Sequence, residues 1–228
     1  MSLGLVTAYS EKFAPMERIS GPNKRSYAER HRYVYHPMET IPSDYKYGRH
    51  PSWFKIPAIM DAMEHFDWIW WSDADVIVAN GTVGFEDIID DDHDIIGGHF
   101  IIYSKGFATM HTGSFLIRCN EWTHRFLGWL SSSRETQKFA DSVMREEDAF
   151  RYAYEHRPDV RSHVKLLHLR RFSTWVPMPH PGDGPALWNP DWVMYKPGDF
   201  ALHFPSPSKF EIRLGMLTQY AKLMEEEC

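Results

Sequence analysis

At 228 residues, with 43% hydrophobic and 25% charged side chains, the chain can bury one full core and has the balance of a globular protein. A formal net charge of −6 argues against nucleic acid as the main partner, because phosphate binding calls for clustered Lys and Arg. Two cysteines, Cys119 and Cys228, build neither a disulfide framework nor a zinc site. No apolar run reaches the roughly 18 residues of a membrane span, and no leader pattern follows Met1. The expectation is a cytoplasmic protein, or a soluble catalytic domain belonging to a longer anchored one. The 9 Trp, 11 Tyr and 14 Phe suit stacking on sugar rings as well as a core.

In chain order, Leu3–Ala8 reads as a buried strand, and Thr7 at its end could meet the base of a nucleotide. A helix follows over Asn23–Arg32 with Tyr27 and Ala28 inward, then a strand at Tyr33–Tyr35 and a loop over Ile41–Pro51. Pro57 fits the first turn of a helix running to about His65. Trp68–Trp71 and Val76–Val78 are apolar runs flanking Ser72-Asp73-Ala74-Asp75. Short strands are expected at Ile95–Ile96, Phe100–Tyr103 and Ser114–Ile117. Asn120 suits the N-cap of a helix through Leu130. Arg145–His156 reads as a helix, Val164–Leu169 as a strand, His180–Pro190 as a loop, Phe200–Phe204 as a last strand and Ile212–Glu226 as a closing helix. Strands alternating with helices point to an α/β fold with a mostly parallel central sheet flanked by helices.

The chemistry concentrates at Asp73-Ala74-Asp75. In extended chain, residues i and i+2 share a face, so two carboxylates converge while Ala74 points away. Ligands of open α/β sheets gather at the carboxyl ends of strands, where this pair lies. Paired hard oxygen donors suit Mn²⁺ or Mg²⁺ shared with a diphosphate. A solvated turn carrying two acids is the plainer alternative, but the apolar runs on either side bury it, and a buried acid pair without a cation is costly. The acidic run Asp90–Asp94 lacks the Gly and Glu of a calcium loop and reads as solvated.

Asn23-Lys24 with Tyr27, Trp68-Ile-Trp-Trp-Ser-Asp-Ala-Asp75, His111-Thr-Gly-Ser-Phe-Leu-Ile-Arg118 with Glu121-Trp122, and His203-Phe204-Pro205 occur in that order. Together they resemble glycosyltransferase family 34, the galactosyl-, mannosyl- and xylosyltransferases of yeast and plant Golgi. The resemblance runs from about Leu3 to Lys209, and the tryptophan-rich run into the acid pair is its most specific element. It implies a GT-A fold in a single domain, with nucleotide binding in about residues 1–80 and acceptor binding in about 81–228. It also implies a nucleotide-sugar donor, UDP-linked by expectation, and a metal held by Asp73, Asp75 and His203. Tyr27, Lys55, Ser72 and Ala74 would join the donor site. The closing segment His203 to Lys209 resembles a H-x-x-G-x-x-K tail with Ser206 for Gly, whose His and Lys flank the diphosphate. A Golgi-type, membrane-anchored parent enzyme would follow.

Two blocks depart from the family. His111 stands where the family usually has Asn, before Thr112 and Gly113; these three are candidate sugar contacts. Glu146-Glu147-Asp148-Ala149 stands for the family's Asp-Gln-Ser-Ala and resembles the acidic block that supplies the base of inverting enzymes. Asp148 or Glu147 is therefore the candidate base for an acceptor hydroxyl, against a plain role in complementing a helix N-terminus. Two other classes stay open on sequence. A metal-dependent phosphodiesterase would also gather carboxylates, and a non-catalytic sugar-binding module would explain the aromatics.

Overall fold

The fold is seen in a computed structural model that describes residues 1–38, 50–102, 107–176, 193–205 and 209–227. The expected loops at 41–51 and 180–190 fall mainly or wholly outside these residues. The chain forms β1 (Leu3–Ala8), α1 (Ala14–His31), β2 (Val34–Met38), α2 (Lys55–Ala62), β3 (Trp68–Ser72), β4 (Val76–Val78), β5 (Ile95–Ile102) and β6 (Phe107–Arg118). It continues through α3 (Glu121–Ser132), α4 (Arg134–Gln137), α5 (Glu146–His156), α6 (Pro158–His163), β7 (Val164–His168), β8 (Thr174–Trp175), β9 (Ala201–His203) and a C-terminal helix, Phe210–Glu227.

The main sheet has the order β2-β1-β3-β6-β5-β7, and β6 alone runs against the others. A second sheet, β4-β9-β8, stands beside it. The first strands explain the unbroken apolar reading of Trp68–Trp71. Alternate residues face opposite sides, and both sides are covered, so every position is buried. Trp71 packs with Ile59, Phe115, Leu127 and Phe150 beneath α2, α3 and α5. Trp70 packs with Leu5, Tyr27, Phe85 and Phe200 on the α1 side. The sheet is α/β and mostly parallel, as the alternating pattern implied.

Two elements differ from the sequence reading, and the pairing of a third places the site. Helix α1 begins nine residues before Asn23, with Pro15 in its first turn and Pro22 inside it. Side-chain bonds from Ser20, Asn23 and Lys24 to the Asp73–Val78 segment anchor it there despite the missing backbone donor. Strand β5 runs straight through Gly97-Gly98 with a bulge, where two strands were expected. The glycines serve close packing: a Cβ at Gly97 would lie 2.5 Å from Met110 Sδ, and one at Gly98 would lie 2.9 Å from Leu169. Finally, β4 pairs with β9 and not with the main sheet, so Asp73–Asp75 is the crossing between two sheets. Among the described residues, no helix is long and apolar enough to cross a membrane.

Candidate active site

β3 ends the central sheet at Ser72, and the chain turns at Ala74-Asp75 before entering β4. The carboxylates therefore meet through a turn, not through the extended i, i+2 geometry expected from sequence. That turn is held from several directions. Asp73 N donates to Gly113 O at 2.9 Å, and Val76 N closes on Asp73 O at 3.1 Å. From α1, Lys24 Nζ donates to Asp73 O at 2.9 Å, Ser20 Oγ to Ala74 O at 2.7 Å, and Asn23 both donates to and accepts from the Val78 backbone. Lys24 is fully buried and its charge is matched by Glu17 at 3.1 Å. The family-like Asn23-Lys24 pair thus braces the acidic turn.

Asp75 is buried between an imidazole and a guanidinium. His203 Nε2 lies 3.2 Å from Asp75 Oδ1, and the Arg213 guanidinium grips Asp75 Oδ2 while its Nε donates to Phe204 O at 2.7 Å. Burial works to raise the Asp75 pKa, but His203 and Arg213 outweigh it and hold the carboxyl below its usual range. Asp73 is more open, 29% exposed at the side chain, and its Oδ1 accepts from Trp71 Nε1 at 2.7 Å. Lys55 reaches the same oxygen at 3.4 Å, Glu146 at 2.9 Å and Thr112 O at 2.8 Å. Burial would lower the Lys55 pKa; the acids Asp73, Glu146 and Glu147 override it and raise it. Lys55 is therefore an interior ion-pair hub and not a surface lysine, since a buried ammonium stays charged only among acids. Burial likewise pushes Glu146 up, and Lys55 more than reverses that shift.

β6 delivers His111, Thr112 and Gly113 to the opposite side. His111 Nε2 is 2.8 Å from His203 Nδ1, and His111 Nδ1 is 3.3 Å from Glu147 Oε2, which also accepts from Thr112 N at 3.1 Å. Burial pushes the His111 pKa down, against the pull of Glu147. Gly113 makes room: a Cβ there would sit 2.7 Å from His111 Nε2 and 2.8 Å from His203 Cε1.

These groups line one cleft of about 480 Å³, within the range of small-molecule sites. It opens at the carboxyl ends of β1 and β3, where the chain order along the sheet reverses direction, the usual ligand position in open α/β sheets. Asp73, Ala74, Asp75, Lys55, His111–Gly113, Glu147 and His203 all reach it. Five expected site residues do not. Tyr27 lies in the aromatic core with its hydroxyl donated to Val83 O. Thr7 and Ser72 are fully buried, and their hydroxyls lack a partner among the described residues. Asp148 turns back to accept from Met144 N at 3.2 Å and pairs with Arg151 at 2.8 Å, the arrangement of a helix-capping acid. Lys209 is exposed and outside the cleft lining, and Ser206 falls outside the described residues.

Sequence reasoning missed Arg213, Glu146 and the cleft-lining Tyr9, Ser10 and Arg145. Arg213 did leave a signal. It lies one turn before the buried Leu217, on the apolar face of the closing helix, where an arginine needs a partner. Arg145 enters α5 at φ +51°, a left-handed conformation that is uncommon outside glycine.

Asp73, Asp75 and His203 offer one ligand atom each, all within 4.8 Å of one another, and form the one such group among the described residues. Two carboxylates and an imidazole suit Mn²⁺ or Mg²⁺. The 3.2 Å between His203 Nε2 and Asp75 Oδ1 is close to the roughly 3 Å between neighbouring donors that each sit about 2.1 Å from an octahedral ion. The donor set fits a hard divalent cation.

Comparison with known proteins places this geometry in context. The model of the galactosyl transferase GMA12/MNN10 family matches residues 6–97 and 93–209. An uncharacterized alpha-1,2-galactosyltransferase of Schizosaccharomyces pombe is 29% identical, over 88% of this chain and 66% of its own length. The probable alpha-1,6-mannosyltransferase MNN10 of Saccharomyces cerevisiae is 26% identical, over 76% of this chain and 51% of its own. The alignments thus span about half to two thirds of these curated relatives. Among solved structures, a glycosyltransferase involved in glycosylation of the major capsid of PBCV-1 superposes with a TM-score of 0.70 at 13% identity, covering 98% of this chain and 100% of that one. Galactosyltransferase LgtC, in complex with donor and acceptor sugar analogs, gives 0.59 at 12% identity over 98% and 95%. These two structures establish a glycosyltransferase GT-A fold.

Proposed function

With the chain belonging to the galactosyl transferase GMA12/MNN10 family, we propose that it transfers a hexose from a nucleotide sugar, UDP-linked, to a glycan or glycoprotein hydroxyl with the help of Mn²⁺ or Mg²⁺. The observation that carries this reading is the convergence of Asp73, Asp75 and His203 in one cleft at the ends of β1 and β3. The chemistry calls for such a site. As the bond between the anomeric carbon and the diphosphate breaks, negative charge grows on the leaving oxygen. A divalent cation held by Asp73, Asp75 and His203 would supply Lewis-acid stabilisation of that charge. The guanidinium of Arg145, at the cleft, adds positive charge from this chain, while that of Arg213 is committed to Asp75 and the Phe204 carbonyl. Lys55 is committed to Asp73 and Glu146, so it orients a ligand carboxylate and leaves the donor contact to others.

Of the two candidate bases Glu147 lines the cleft, whereas Asp148 is spent on Arg151 and the Met144 amide. This disfavours Asp148 as the base of an inverting reaction. Both relatives named above carry alpha-linkage names, and transfer from an α-linked nucleotide hexose to an alpha product is retention. We assign retention, with Asp148→Asn transferring at a rate within about threefold of the unaltered protein, as expected for a capping residue. Anomeric-proton NMR of the product and the rate of nucleoside diphosphate release from UDP- and GDP-sugars test both points. A β product, or a loss of 100-fold or more in Asp148→Asn, would restore the inverting assignment. Absence of release from every donor with Mn²⁺ present would count against the transferase reading.

A further inference from the structure

Close polar contacts run without a gap from Glu147 to Asp75. Glu147 Oε2 faces His111 Nδ1 at 3.3 Å, His111 Nε2 faces His203 Nδ1 at 2.8 Å, and His203 Nε2 faces Asp75 Oδ1 at 3.2 Å. All four side chains are buried, 4–6% exposed as residues. Direction in this chain is not arbitrary. An ionised carboxylate only accepts hydrogen bonds, so Glu147 requires the proton of His111 to sit on Nδ1. Nε2 of a neutral His111 is then an acceptor, which requires a proton on His203 Nδ1. His203 Nε2 is then the nitrogen that faces Asp75 Oδ1 at 3.2 Å, a contact between two acceptors that is favourable only with a cation between them, a proton in the free site or the metal ion in the loaded one.

We propose that His111 and Glu147 are positioning residues that fix which nitrogen of His203 is offered to the divalent cation. The inference rests on the metal reading above. Ring orientation is fixed with the tautomer. Phe100 and Trp175 pack edge-on against His111 at centroid distances of 6.1 and 5.9 Å, and a backbone amide, Thr112 N, donates to Glu147 at 3.1 Å from the other side. Gly113 is the residue whose missing side chain leaves space for the histidine pair. Partners of metal-bound histidines set ligand orientation and basicity, and their loss typically weakens metal binding by about 10–100-fold. In this chain the partner is a second histidine backed by a carboxylate.

The test is Mn²⁺ binding without nucleotide, followed by the EPR signal of free Mn²⁺, on the whole chain. His111→Phe keeps the ring packing and removes both nitrogens; it should bind Mn²⁺ about 10–100-fold more weakly. His111→Gln places an amide oxygen near the lost Nε2 and should recover most of the affinity, which a purely structural role would not require. Glu147→Gln should weaken binding in the same direction and serves if His111→Phe does not fold. Long-range ¹H–¹⁵N NMR of the unaltered protein with Mg²⁺ reads the tautomer itself, expected as Nδ1–H on His111. Unchanged Mn²⁺ affinity in both His111→Phe and Glu147→Gln, or an Nε2–H tautomer, would overturn the relay while leaving the metal site intact. Asp75→Asn is the control: Mn²⁺ binding equal to the unaltered protein there would remove the metal reading, and this inference with it.

Discussion

Arg213 and His203 divide the two oxygens of Asp75 between them, which makes that carboxylate the most constrained group of the cleft. Removing the guanidinium in Arg213→Met strips a buried acid of one partner and should cost about 3–5 kcal/mol of stability in chelator. Mn²⁺ can replace part of the lost positive charge, so the metal should raise the urea midpoint of Arg213→Met by more than it raises that of the unaltered protein. Equal shifts in the two proteins would mean that the cation does not sit at Asp75. Gly113 gives a second residue-level test. The Cβ of Gly113→Ala would meet His111 and His203 below 3 Å, an overpacking that should cost about 1–3 kcal/mol by urea unfolding. A loss below about 0.5 kcal/mol would show that the histidine pair can move aside.

At the scale of elements, the acidic turn is a joint between two sheets, and α1 is its brace. The buried Lys24–Glu17 pair carries that brace to Asp73 O. Lys24→Met leaves Glu17 buried without its cation and should cost about 3–5 kcal/mol, whereas Glu17→Leu combined with Lys24→Met should recover a large part. Urea denaturation of both variants checks the difference; a double variant as unstable as the single would show that the bond to the turn, not the charge pair, dominates. The run Trp68–Trp71, the strand Val76–Val78 and the Asn120 cap of α3 were legible because each rests on local pattern: apolar runs, acids at a strand end, and a side chain three residues from the backbone amide that donates to it. The first half of α1 was not, since Gly21-Pro22 reads as a breaker and the bonds that hold the helix come from residues about 50 positions away.

For the whole molecule, the same rule separates what the sequence disclosed of the site from what it did not. Asp73 and Asp75 announce themselves by their place after β3, and His203 by the tail that follows it. The grip of Arg213 on Asp75 spans 138 residues and the His111–His203 contact spans 92; no local period encodes such pairings. Side-chain direction was equally hidden, which is why Asp148 and Glu147, adjacent in sequence, part company in space. The claim on which the rest depends is that this cleft binds a nucleoside diphosphate through a cation on Asp73, Asp75 and His203. Isothermal titration of UDP in Mn²⁺ and in chelator, on the unaltered protein and on Asp75→Asn, addresses it most directly. The expected result is binding in Mn²⁺ that weakens by about 100-fold or more in chelator and in Asp75→Asn, in line with the loss of a metal-centred charge contact. UDP affinity that is the same with Mn²⁺, with chelator and without the Asp75 carboxylate would contradict it.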